Sequence, residues 1–147
     1  MLNTVSLGDC GESYAIMQFV KKGAIVSKPL TNNARYDLLV EINNKIYRVQ
    51  VKTTTSIKDG KMEFATKTTN YVKGHWKSIT YSINEIDLFF LYCLENNWCG
   101  LFIPKDTIPQ SLTIRLTPPK NGQKIGIRLA NEYEFDYQYG SLTQLVE

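Results

Sequence analysis

Residues 35–52 read RYDLLVEINNKIYRVQVK. On either side of Asn43-Asn44 the chain alternates apolar and polar residues, the pattern of two strands with one face turned inward. Paired asparagines tolerate a left-handed backbone, so Asn43-Asn44 predicts a two-residue hairpin loop. A loop centred between them sets Asp37 opposite Gln50 and Arg35 opposite Lys52, where side chains meet across the strands. One face then carries Tyr36, Leu38, Val40, Tyr47, Val49 and Val51. The other carries Arg35, Asp37, Glu41, Arg48, Gln50 and Lys52. Two readings fit that second face: a solvated surface with ion pairs of little energetic value, or a site. The gathering of Asp37, Gln50 and Lys52 at one end favours a site.

Upstream, a helix is expected from about Ser6, with Ser6 as N-cap and Asp9 as a weak capping-box partner. Cys10, Tyr14, Met17 and Lys21 form one helical stripe, which Ile16, Phe19 and Val20 widen into an apolar face. Lys21-Lys22-Gly23 closes the helix. Ala24-Ile25-Val26 and Lys61–Thr66 read as further strands. Ile86–Leu94 and Trp98–Ile103 read as a second hairpin turning at Glu95-Asn96-Asn97. Residues 67–84 are polar, aromatic and basic and carry no clear period. A short helix near 104–110 is expected, and the C-terminal third offers strands at Leu112–Leu116 and Lys124–Ala130. The expectation is an α/β domain spanning 1–147: a mixed, mostly antiparallel sheet, one N-terminal helix and additional hairpins, with 105–147 as a β-rich C-terminal extension.

Composition bounds the function. The 147 residues are 43% hydrophobic and 21% charged, with net charge +3, which permits nucleic-acid contact without demanding it. Three cysteines without ligand spacing and a single histidine argue against zinc. No apolar run reaches the ~18 residues of a membrane span, and no secretory signal is visible, so a reducing cytoplasm is expected.

Tyr36-Asp37-Leu38-Leu39 with Arg48-Val49-Gln50-Val51-Lys52-Thr53 resembles the PD-(D/E)XK nuclease motif, in which an Asp precedes a hairpin bearing (D/E)-X-K. Asp37 takes the first position, Gln50 that of the second acid, and Lys52 that of the lysine. Gly11-Glu12, where many members of the fold place another acid, and Tyr81-Ser82-Ile83-Asn84-Glu85-Ile86-Asp87, leading into the next core strand, extend the resemblance over about residues 8–104. Small size and the Gln narrow it to the group I intron homing endonucleases of this fold known from cyanobacteria. The resemblance implies a restriction-endonuclease-like core and site-specific cleavage of both strands of duplex DNA by a homo-oligomer, a dimer or tetramer. Mg²⁺ would be the cofactor, with Mn²⁺ substituting. Asp37, Glu12 and Gln50 would be metal ligands, and Lys52 would serve the nucleophilic water or the transition state. A hard cation takes such oxygen ligands and completes its shell with water and phosphate. Gln50 keeps an acceptor oxygen but brings no charge, which weakens the metal site. A Holliday-junction or repair nuclease of the same fold, or a catalytically silent DNA-binding protein, are the alternatives.

Lys67, Lys73, His75 and Lys77 interleave with Tyr71, Trp76 and Tyr81, a pattern for phosphate contact with base stacking or for a solvated loop packed by its aromatics. His75 reads as a DNA contact or as an ordinary exposed histidine. Arg115 and Arg128, with Lys120 and Lys124, mark a second candidate basic surface. Glu132, Glu134 and Asp136 read as a solvated cluster or a subunit contact.

Overall fold

The computed structural model describes residues 3–144. Helix α1 (Thr4–Lys21) starts two residues before the expected cap, because Asn3 supplies the side chain: its Oδ1 accepts the Ser6 N–H at 2.8 Å. Ser6 therefore lies inside the first turn. The helix buries Gly11, Ala15 and Phe19, while Met17 and Val20 of the expected apolar face are exposed. Gly23, at φ 85°, follows its last turn as expected.

Strand β1 (Ile25–Ser27) leads to the decisive hairpin, β2 (Leu38–Ile42) and β3 (Lys45–Thr54). Asn43 and Asn44 sit at φ 51° and 66°, the double left-handed turn the sequence requires. The register also follows: Leu38 faces Val49 and Ile42 faces Lys45. The ladder ends at Leu38, however. Asp37 donates its N–H to Val49 O at 2.9 Å, and before that point the chain leaves the sheet, so Arg35 has no cross-strand seat at Lys52.

β4 (Lys61–Ala65) comes next. Residues 67–84, unassigned by pattern, contain a hairpin of β5 (Lys67–Val72) and β6 (His75–Thr80). Strands β7 (Leu88–Cys93) and β8 (Trp98–Phe102) are the expected second hairpin. The main sheet has the order β1-β2-β3-β7-β8, and its central pair, β3 and β7, is parallel. The expected mixed, mostly antiparallel sheet is what forms, with the one parallel join of this sheet at its middle. A parallel pair needs a long crossover, which residues 55–87 supply.

The sheet is covered on both sides. Every residue of β7 is buried, as in a strand with apolar layers on either face. One layer packs α1 and the C-terminal helix on Leu38, Val40, Val49, Val51 and Phe90. The other packs Met62, Phe64, Leu112 and Ile114 on Phe89 and Leu91. Tyr36, expected with the first layer, packs on the second. The second layer rests on a smaller sheet, β10-β9-β4, made with β9 (Ser111–Arg115) and β10 (Arg128–Leu129).

The C-terminal third departs from expectation. No helix forms at 104–110. The strand at Lys124–Ala130 shrinks to the two residues of β10, parallel to β9 and so not a hairpin. Helices α2 (Ala130–Tyr133) and α3 (Phe135–Gln144) follow, so this end is helical where strands were expected. Phe135, Tyr139 and Leu142 fall at helical spacing, and their burial against the main sheet decides the matter. None of the described helices is long and apolar enough to cross a membrane.

Candidate active site

The site lies where β2 begins and β3 runs past it. Asp37 is half-buried; its Oδ2 accepts the Val51 N–H at 2.9 Å, which clamps the carboxylate and leaves the other oxygen for a ligand. Burial pushes the Asp37 carboxyl above its ordinary value. The Val51 hydrogen bond opposes this, the charge of Glu12 adds to it, and Lys52 and Lys28 pull it down.

Gln50, on the second face of β3, lies beside Phe89 of the second apolar layer. It is 8% exposed, and its Oε1 is buried without a hydrogen-bond partner. Buried polar atoms are nearly always satisfied, so an orphaned acceptor marks a place where something else binds. Asp37 and Gln50 line one cleft of about 290 Å³, together with Arg35, Thr68, Asn70 and Tyr81.

Lys52 follows on the same face, half-exposed, with its Nζ 5.0 Å from the centre of the Tyr81 ring. Arg35 lies over the same ring at 4.5 Å and donates to Thr80 O at 3.3 Å. The two cations expected to face each other across the hairpin thus share an aromatic platform instead. Tyr81 is buried and bonded to Thr68 Oγ1 at 2.8 Å, which ties this platform to the base of β5.

Glu12 arrives from α1 because that helix approaches β3 closely. Its neighbour Gly11 faces Thr53, and a Cβ at Gly11 would overlap Thr53 Oγ1. Only glycine permits this approach. Glu12 is ion-paired with Lys28, whose charge also acts on Asp37.

Among the described residues no three His, Cys, Asp or Glu side chains converge to hold a metal. The donors present are instead two carboxylates and one amide oxygen. This all-oxygen set, with an orphaned acceptor beside a clamped carboxylate, fits a hard divalent cation that keeps several waters.

The candidate DNA-binding residues are spread over two places. Lys67, Lys73, His75 and Lys77 lie on the β5–β6 hairpin, with Lys73 at its tip at φ 51°. Arg115 and Arg128 lie on the small sheet, where Arg128 pairs with Ile114 and Arg115 with Leu129, so they point to opposite faces. Arg115 donates to Thr117 O, and Arg128 lies over Phe102 at 5.7 Å. Of the acidic cluster, Asp136 pairs with Lys22 at 2.9 Å. Sequence reasoning did not single out Lys28, and no local pattern could have revealed it. Arg35 and Tyr81 stood in quoted segments, but only the fold puts them at Lys52.

A family model described as PD-(D/E)XK endonuclease matches residues 2–136. The fold is similar to the solved structure of a bacterial homing endonuclease, I-Ssp6803I, with TM-score 0.79 and 22% identity, covering 98% of this chain and 95% of that one. The search of curated proteins found no match.

Proposed function

Because this chain belongs to the PD-(D/E)XK endonuclease family, we propose that it is a site-specific DNA endonuclease of the intron-homing type, cutting both strands with Mg²⁺ or Mn²⁺ in the cytoplasm. The observation that carries the reading is the meeting of Asp37 and the unpartnered Gln50 Oε1 at one cleft, with Lys52 held over the Tyr81 ring that walls it and Glu12 near enough for its charge to act on Asp37. The likeness to a bacterial homing endonuclease supports the homing role.

Asp37, Gln50 and Glu12 would hold the cation. When bound, a divalent cation acidifies its water and offsets charge on the phosphoryl oxygens. Asp37 holds a fixed anionic oxygen towards the site, since the Val51 N–H occupies the other. Gln50 adds a neutral acceptor, so fewer negative charges oppose the incoming phosphate than with a third carboxylate. Lys52, held over Tyr81, orients the attacking water and stabilises the anionic phosphorane-like transition state. The water oxygen bonds to phosphorus as the leaving sugar oxygen departs with a proton.

Lys67, Lys73, His75 and Lys77 on the hairpin, with Arg115 and Arg128, are the proposed DNA contacts. One chain carries one such site, so cutting both strands calls for a symmetric homo-oligomer, and residues 105–147 are proposed to serve DNA binding or that assembly.

The test is incubation of the purified protein with a randomised duplex library and with branched DNA, with Mg²⁺ or with EDTA. Cation-dependent cutting of duplex at few positions, lost in Lys52→Ala with binding retained, is expected. Cutting confined to branched DNA would transfer the assignment to a junction or repair nuclease. Binding without any cutting would leave a silent DNA-binding protein.

A further inference from the structure

The β5–β6 hairpin joins neither the main nor the small sheet. Beyond its base both strands are exposed on both faces, from Thr69 to Val72 and from His75 to Ser78. A two-stranded ribbon of this kind buries too little to account for itself, so its surface is there for a partner.

The register sorts that surface. Cross-strand partners project to the same side of the ribbon, and neighbours along a strand to opposite sides. Thr68 with Ile79 and Asn70 with Lys77 therefore share one face, whereas Tyr71 with Trp76 lie on the other. Thr68, Asn70 and Ile79 line the cleft that contains Asp37 and Gln50, so the first face looks over the active site. The Tyr71–Trp76 pair, its rings edge-to-face with centroids 5.1 Å apart, looks away.

We propose that the cleft-side face of this ribbon reads the DNA sequence beside the cut, with Asn70 as the specificity-determining residue and Lys77 gripping the adjoining phosphate. The inference rests on the endonuclease reading and deepens it. Six-residue strands span about 20 Å, enough to cross a major groove roughly 12 Å wide that admits a two-stranded ribbon. An Asn amide matches the donor–acceptor pair on the major-groove edge of adenine, and a lysine beside it supplies charge without reading sequence. The outer aromatic pair does not take part in this reading.

Full-length protein is incubated with a randomised duplex library, and both the cut ends and the bound fraction are sequenced. Melting curves confirm that each variant is folded, as expected for exposed positions. Asn70→Ala is expected to lower base discrimination about tenfold or more at one or two positions beside the cut. Lys77→Ala is expected to weaken binding to all sequences alike and to reduce the slope of log affinity against log salt by about one. Trp76→Ala leaves the base preference as in wild type. An unchanged preference in Asn70→Ala, or a relaxed one in Trp76→Ala, overturns the proposal. If the wild type binds without cutting, the endonuclease reading fails, and the bound fraction alone then decides whether Asn70 reads sequence.

Discussion

Replacing Gln50 with methionine separates stability from catalysis. The Oε1 of Gln50 lies buried with no partner in a residue that is 8% exposed. Leaving a buried acceptor unsatisfied costs about 1–3 kcal/mol. Methionine has similar length and volume and no polar atom, and a volume-conserving swap costs less than about 1.5 kcal/mol. Across the pair, Gln50 faces Phe89, an apolar neighbour that accepts a thioether. The balance favours the variant by about 1 kcal/mol without divalent cations, a rise in melting temperature of about 3 °C. Catalysis should be lost, because the variant lacks one of the three oxygen ligands proposed for the cation. Urea titrations in EDTA and in excess Mn²⁺ measure both halves of the argument. A cation at a hundred times its dissociation constant stabilises the wild type by about 2.7 kcal/mol. The order of stability should therefore reverse, with the variant ahead in EDTA and the wild type ahead in Mn²⁺. A variant no more stable than wild type in EDTA, or one that gains as much from Mn²⁺, would refute the claim that this oxygen is held in reserve for a cation.

Asp37→Asn should likewise stabilise the cation-free protein at neutral pH, by about 1 kcal/mol, while abolishing cleavage. Burial raises the folded-state value of Asp37, so the wild type loses stability as pH rises through it, and the gain in the variant should vanish below the ordinary Asp value, as urea midpoints from pH 3 to 7 would show. Gly11→Ala should cost about 2 kcal/mol and lower cleavage by displacing Glu12; because the clash is with Thr53 Oγ1, Thr53→Ala in the same chain should restore much of both, and a double-mutant cycle measures the coupling. Asp87→Ala should cost about 1–2 kcal/mol, since Asp87 takes the Arg48 backbone N–H at 2.7 Å and two guanidinium contacts at 3.0 Å in a pair about one-third exposed. Burial raises the Asp87 carboxyl, but the Arg48 contacts outweigh it and leave it below its ordinary value, so this stability is present above the ordinary Asp value and lost as pH falls. Chemical denaturation of wild type and variant should therefore converge towards pH 2–3.

The sequence by itself determined what depends on neighbours in the chain. Asn43-Asn44 dictated a left-handed turn, and the two-residue period on either side then set the register that brings Asp37 to the level of Gln50. The grouping of Asp37, Gln50 and Lys52 follows from the same register, since one hairpin carries all three, whereas Glu12 was suggested by the family resemblance alone. What the tertiary structure alone decided depends on contacts between distant segments. The parallel seam of β3 and β7 set Gln50 beside Phe89, so Gln50 became a buried, orphaned acceptor and not a surface amide, while Arg48 and Lys52 on the same face stay partly exposed. Lys28, Arg35 and Tyr81 reached the site through loops with no period to read. In the C-terminal third, Lys124–Ala130 alternates like a strand but keeps only Arg128–Leu129 in β10, and the chain after it is helical because Phe135, Tyr139 and Leu142 bury on the main sheet at helical spacing.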